Sequence, residues 1–198
     1  MRHLLLAIIL LPMVLITTSH FFCFIQDCKG GTAMNDWVLK WLTPRDVSIP
    51  IALLMATVLG LCVVRCVTDP NMFITALLAF VFLFATRMIT INITRLVAPI
   101  GLIELKDPIC NLMYGSHFIT KDLFYSGHTA TLCVLYLCST KKIDKYFILF
   151  AVLSVGTLLL IQHVHYTVDV LCAPLFAFGC FWLSKRIMNM QKAYIKSV

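Results

Sequence analysis

Long runs of apolar sequence constrain this chain more than any other feature. Residues 4–25, 47–64, 72–94, 126–140, 146–162 and 168–183 are apolar or nearly so, and polar connections separate them. A helix needs about 20 such residues to cross the hydrocarbon core of a bilayer. In lipid the backbone must satisfy its own polar groups, and for runs of this length and composition the helix does so within each segment. Composition agrees, with 61% of the 198 residues hydrophobic, 13% charged and a mean hydropathy of +0.94. A soluble domain is nearer half apolar and a quarter charged. The pattern predicts an all-α integral membrane protein: a single polytopic domain over residues 1–198, built as a six-transmembrane-helix bundle. It leaves no soluble domain, and nothing points to a nucleic-acid partner.

The first run, over residues 4–16, resembles the apolar part of a signal peptide. No clean small-x-small cleavage site follows, and apolar sequence resumes at Phe21-Phe22-Cys23-Phe24-Ile25, so a retained first span is expected. Trp37 and Trp41 in the next connection suit a membrane interface. Asp69-Pro70-Asn71 reads as a tight turn between spans two and three. Six spans place both termini on one side, which then holds nine Lys/Arg and two acids against seven and seven on the other. Basic residues favour the cytoplasmic side. The termini are therefore expected in the cytoplasm, in a plasma, inner or Golgi membrane.

Of the nine cysteines, six lie in apolar runs, where a free thiol behaves as a small hydrophobe. Cysteine and histidine spacings match no zinc motif. Cys23, Cys28 and Cys110 share the exoplasmic side, where either one disulfide or free thiols is open.

Two polar islands interrupt the apolar sequence, and ionisable groups so near lipid-facing runs are functional candidates. In Ser126-Gly127-His128-Thr129, Ser126 is a good helix N-cap. The unpaired N–H groups of a first helical turn, with the helix dipole, favour a bound phosphate. Gly127 allows close approach to that backbone, and His128 beside it is placed for proton transfer. In His165-Tyr166-Thr167-Val168-Asp169 the histidine and aspartate are four apart, so a helical turn would put them on one face. A carboxylate on one imidazole nitrogen fixes the tautomer and leaves the other as a nucleophile. His163 reads as a bystander. Arg87, near the end of span three, offers a permanent planar cation to phosphate oxygens, with snorkelling to the interface as the alternative. Thr90 and Thr94 share its face. Drawn by hydropathy and charge alone, the topology puts Arg87, His128, His165 and Asp169 on one side of the membrane. Together they form a phosphoryl-transfer set with no expected metal site and no cofactor.

These islands carry a resemblance. Asp122-Leu-Phe-Tyr-Ser126-Gly127-His128-Thr129 and His165-Tyr166-Thr167-Val168-Asp169-Val170 are similar to the Asp-x-x-x-Ser-Gly-His-Thr and His-Tyr-Thr-x-Asp-Val segments of the sphingomyelin synthase family. That family is a branch of the lipid phosphate phosphatase (PAP2-like) superfamily. The segment from Arg87 to Leu96 resembles its Arg-x-Ile-Thr-x-x-x-Thr-x-Leu-Pro segment. The likeness runs over about residues 82–186, the expected catalytic core. It departs at Val97, where the family usually has Pro, at Thr120-Lys121 in place of Cys-Gly, and at Pro174 in place of Tyr.

The resemblance implies a six-helix bundle with an exoplasmic active site. It implies transfer of phosphocholine, or a related phospho-headgroup, from a glycerophospholipid to ceramide or a diacylglycerol-like alcohol. His165 would attack, Asp169 orient it and His128 move the proton. Arg87, Ser126, Gly127, Thr129 and Tyr166 would bind phosphate or substrate. Phe124, Tyr125, Tyr114 and Trp37 are candidate contacts for a choline cation. The residues leave choline, ethanolamine and inositol open as headgroups. The rival readings are a lipid phosphate phosphatase using water as acceptor and a non-catalytic lipid-binding membrane protein. The phosphatases' usual Lys-x6-Arg-Pro segment is not present, and Leu158 and Leu159 stand where they carry Ser-Arg.

Overall fold

The computed structural model describes residues 2–28, 30–106 and 119–197, with residues 2–8, 11 and 191–197 described in backbone only. Among them are six α-helices: α1 (Arg2–Asp27), α2 (Ser48–Thr68), α3 (Pro70–Thr94), α4 (Gly127–Cys138), α5 (Lys142–Ile161) and α6 (Thr167–Ser197). A 3-10 turn, Leu39–Trp41, lies between α1 and α2. The all-helical expectation holds among the described residues, where the only β feature is one isolated bridge, Thr32 to Leu96. Tyr114 and Cys110 lie outside the described residues. Cys23 and Cys28 are free thiols.

Among the described residues, four helices are long and apolar enough to cross a membrane: α2, α3, α5 and the first 24 residues of α6, Thr167–Met190. They mark a multi-pass membrane protein. Their outer faces agree, since Ile49, Leu53, Val63, Leu153, Leu171 and Leu175 are exposed, a surface that water would penalise and lipid does not.

The expected fourth span is shorter than its apolar run. α4 has 12 residues, a rise of about 18 Å against a hydrocarbon core of about 30 Å. Ser126 is extended and caps the helix, accepting from Thr129 N–H at 3.4 Å. Ser139 ends it, its hydroxyl turned back to Leu135 O at 2.8 Å. Short as it is, α4 is central. It packs on α6, α5, α3 and α2, and Ala130, Leu132 and Val134 have no exposed surface. Around them Ile51, Val58, Leu83, Val155, Leu159 and Ala173 complete one continuous core.

The interhelical connections follow from caps and buried polar ties. Asp69 caps α3, accepting from Asn71 and Met72 N–H at 3.1 Å each, with Pro70 at the first helical position, where its missing N–H costs nothing. The turn expected at residues 69–71 thus narrows to Asp69 alone. At the opposite end of α2, buried Gln162 donates to Ser48 Oγ (2.8 Å) and Glu104 O (3.0 Å) and accepts from Val47 N–H (3.3 Å). This binds the end of α5 to the start of α2 and to the connection leaving α3. At the far end of the bundle the Arg65 guanidinium grips the Asp144 carboxylate through two bonds of 2.7 and 3.0 Å.

Candidate active site

The two polar islands meet where α4 and α6 begin. Ser126 N–H donates to Asp169 O at 3.1 Å, so the cap of α4 is fastened to the first turn of α6. Ser126, Gly127 and Thr129 are all buried, and His128 is half-buried beside them. Thr129 Oγ1 is buried and makes no hydrogen bond among the described residues.

His165 and Asp169 are in contact, but not as neighbours on a helix face. Helix α6 starts only at Thr167, so His165 lies outside it. The contact arises because Asp169 is the third helical residue and its carboxylate folds back over the helix start. Its Oδ2 accepts from Tyr166 N–H at 3.1 Å and lies 3.3 Å from His165 Nδ1. The first of these bonds is the reciprocal half of a capping box, in which an acid at the third position satisfies the N–H of the cap residue. One carboxylate therefore both caps α6 and orients the imidazole. Asp169 is wholly buried and His165 is 2% exposed. Asp169 Oδ1 makes no hydrogen bond among the described residues.

Arg87 comes to the same place from α3. It is 4% exposed, pairs with the Asp122 carboxylate, and lies over the rings of Phe22 and Tyr125, 5.9 Å from each centroid. Snorkelling to the interface is therefore not its arrangement. Its guanidinium rests on Gly127, where a Cβ would overlap it. A cation against a helix N-terminus opposes the helix dipole, and Asp122 offsets that here. Helix start and guanidinium together make a pole that a phosphate would complement.

Thr90 and Thr94 do share the Arg87 face, but their hydroxyls serve the backbone. Thr90 donates within bonding distance of Arg87 O and Phe124 O, both at 3.1 Å, and Thr94 donates to Thr90 O at 2.9 Å. Tyr125 is buried, stacked on Phe176 at 4.2 Å, and Phe124 meets Phe176 edge-on. Trp37 is 71% exposed and pairs with Trp41. The Tyr166 hydroxyl accepts from Met34 N–H (3.2 Å) and donates to Val97 O (2.9 Å). His163 is turned to the carbonyls of Ile100 (2.8 Å) and Leu42 (3.2 Å) and serves the connections.

Among the described residues, no three His, Cys, Asp or Glu side chains are grouped as metal ligands. A buried imidazole with an oriented tautomer, a second histidine at a helix start and a paired arginine are the parts needed for metal-free transfer of a phosphoryl group.

Residues 121–186 match the family described as PAP2 superfamily C-terminal. The chain carries a PAP2 superfamily C-terminal segment. This segment holds Asp122, both polar islands and the whole of α4 and α5; Arg87 and α3 precede it. Phosphatidylcholine:ceramide cholinephosphotransferase 1 of Gallus gallus is 30% identical over 181 residues, covering 84% of this chain and 40% of that protein. The protein of the same name from Homo sapiens is 29% identical, covering 84% and 41%. The chain thus spans about 40% of the length of these curated relatives. No solved structure matches.

The PAP2 segment also holds Asp122, the partner of Arg87, to which motif and spacing assign no role. Outside the segment, Asp36 belongs to no motif and accepts hydrogen bonds from Thr167. Two of the departures noted above are structurally engaged. Val97 donates its N–H to Thr32 O at 3.2 Å, a bond that proline cannot make. Thr120 and Lys121 are bound to the end of α1, with Gln26 Oε1 accepting from their N–H groups at 3.0 and 3.3 Å.

Proposed function

We propose that the chain is a phospholipid headgroup transferase of the sphingomyelin synthase type, acting as one polytopic domain with its catalytic core over about residues 82–186. The donor is phosphatidylcholine and the acceptor ceramide, a reading supported by the names of the relatives and by the two motif segments. The observation that carries it is the His165–Asp169 contact within a capped, buried helix start. With Nδ1–H held by the carboxylate, the Nε2 lone pair attacks phosphorus. A P–N bond forms as the bond from phosphorus to the diacylglycerol oxygen breaks. His128 gives its proton to that oxygen. The primary hydroxyl of ceramide then loses its proton to His128 and attacks phosphorus. The P–N bond breaks and His165 is restored. Arg87 and the start of α4 stabilise the charge that gathers on the phosphoryl oxygens. Six spans with cytoplasmic termini and an exoplasmic site are the arrangement that serves this reading.

Purified protein in mixed micelles with headgroup-labelled phosphatidylcholine and ceramide should form labelled sphingomyelin and diacylglycerol. EDTA should leave the rate within about twofold, because the mechanism uses no metal. Replacing ceramide by water, or the donor by the ethanolamine or inositol lipid, should give much slower turnover. Release of free phosphocholine irrespective of acceptor would establish a hydrolase that uses water, and release of inorganic phosphate from a lipid phosphate would establish the phosphatase. No turnover with any pair would leave a lipid-binding protein. Loss under EDTA that magnesium or zinc restores would contradict a histidine-only mechanism.

A further inference from the structure

The segment just after α1 is stitched to two helices that carry the site. On one side Thr32 pairs with the exit of α3: Thr32 N–H donates to Arg95 O at 3.0 Å and Val97 N–H to Thr32 O at 3.2 Å. Gly31 permits this approach, since its φ is +144° and a Cβ there would lie 2.8 Å from Arg95 O. On the other side the segment meets the turn that carries His165. Met34 N–H donates to the Tyr166 hydroxyl. The Asp36 carboxylate accepts from Thr167 N–H at 2.5 Å and from Thr167 Oγ1 at 3.0 Å.

Asp36 does two capping tasks at once. Its Oδ1 also accepts from Val38 and Leu39 N–H, at 2.9 and 3.3 Å, at the start of the 3-10 turn. Thr167 is the first residue of α6, and its N–H is one of the donors a helix start leaves without an internal partner. Burial pushes the Asp36 carboxyl up, but the bonds from Thr167, Leu39 and Val38 outweigh it and hold it below its ordinary value. The side chain is therefore anionic through the neutral range, where a charged acceptor makes the stronger bond.

We propose that Asp36 is a positioning residue for the transfer reaction. It latches the 31–36 strap onto Thr167, and so fixes the His165 turn relative to α3, the helix of Arg87. The inference rests on the proposed role of His165. Asp36 touches no reacting atom. Its effect passes through Thr167, two residues from the nucleophile. Attack on phosphorus depends on aim, and a shift of about 1 Å at a reacting group costs on the order of 100-fold.

The test compares Asp36→Ala, Asp36→Asn, Asp36→Glu and Thr167→Val in the full chain in detergent. The rate of phosphohistidine formation is measured per trapping-competent site, beside the number of such sites. A merely structural role lowers the number of sites and leaves the rate of each unchanged. The latch predicts a 10- to 100-fold lower rate per site for Asp36→Ala and a smaller loss for Asp36→Asn. It predicts partial recovery with Asp36→Glu and an Asp36→Ala/Thr167→Val double variant no slower than Asp36→Ala alone. The KM for donor should move less than threefold. A rate per site within twofold of wild type for both Asp36→Ala and Asp36→Asn overturns the proposal. If wild-type protein neither transfers nor traps label, the functional reading fails, and hydrogen exchange judges the latch separately. Asp36→Ala must speed exchange in the 164–170 peptide, and unchanged exchange there overturns it.

Discussion

His165→Ala should reduce turnover of phosphatidylcholine and ceramide by at least about four decades, the scale seen when the orienting carboxylate of a serine-protease triad is neutralised. In the proposed mechanism the substitution removes the nucleophile, and Asp169, buried and held by Tyr166 N–H, has no route to replace it. His128→Ala should behave differently. General acid–base catalysis contributes about 10²- to 10⁴-fold, and it is needed only where the leaving oxygen needs a proton. A donor with a nitrophenolate leaving group should therefore regain much of the first half-reaction in His128→Ala and none of it in His165→Ala. Single-turnover assays on both variants with both donors read this directly. Recovery in His165→Ala but not in His128→Ala would exchange the two roles.

Gly127→Ala should lower turnover about 100-fold, by the same sensitivity of catalysis to misplacement. Two effects compete at this position. Replacing glycine in a helix ordinarily gains about 0.5–1 kcal/mol. Here the added methyl lands on the Arg87 guanidinium, and overpacking costs about 1–3 kcal/mol. The guanidinium is not free to swing aside, because it also meets the rings of Phe22 and Tyr125 and pairs with Asp122. The steric term wins, and relief comes by parting α4 from α3, which moves the arginine from the phosphate pole. Turnover and thermal stability in detergent should both fall. Turnover within threefold of wild type would show that the contact between Arg87 and the α4 start does not serve the reaction.

Much of this arrangement was legible in the sequence, for reasons that are local. Apolar runs fixed α2, α3 and α5 to within a few residues, and Ser126 was readable as a cap because capping is short-range chemistry. The contact of His165 with Asp169 was readable from spacing, but its cause was not. A helix face was expected; the structure uses a capping box, because α6 begins two residues after the histidine. Gly127 is legible only in part. Close approach was expected of a phosphate, and the neighbour found there is Arg87.

Other features depend on what residues far apart in the chain do to one another. α6 continues to Ser197 past the apolar limit at residue 183, since Lys185, Arg186, Met188 and Met190 are good helix formers. α5 begins at Lys142, ahead of its apolar run, because Asp144 pairs with Arg65 of α2. Asp36 and Thr167 are 131 positions apart, and no periodicity or motif links them. Asp122 lies within a motif, yet only the fold reveals that it neutralises the buried Arg87. Breaking such a pair on one side typically costs about 3–5 kcal/mol.

In the proposed mechanism the headgroup is transferred in two steps through His165. Wild-type protein is incubated with headgroup-labelled phosphatidylcholine in the absence of acceptor, and ceramide is then added. Two-step transfer requires acid-labile label on the peptide containing His165, discharged into sphingomyelin on the chase, with net retention of configuration at phosphorus. No label on the protein, with inversion at phosphorus in the product, would mean direct transfer between the two lipids and would rule out the phosphohistidine.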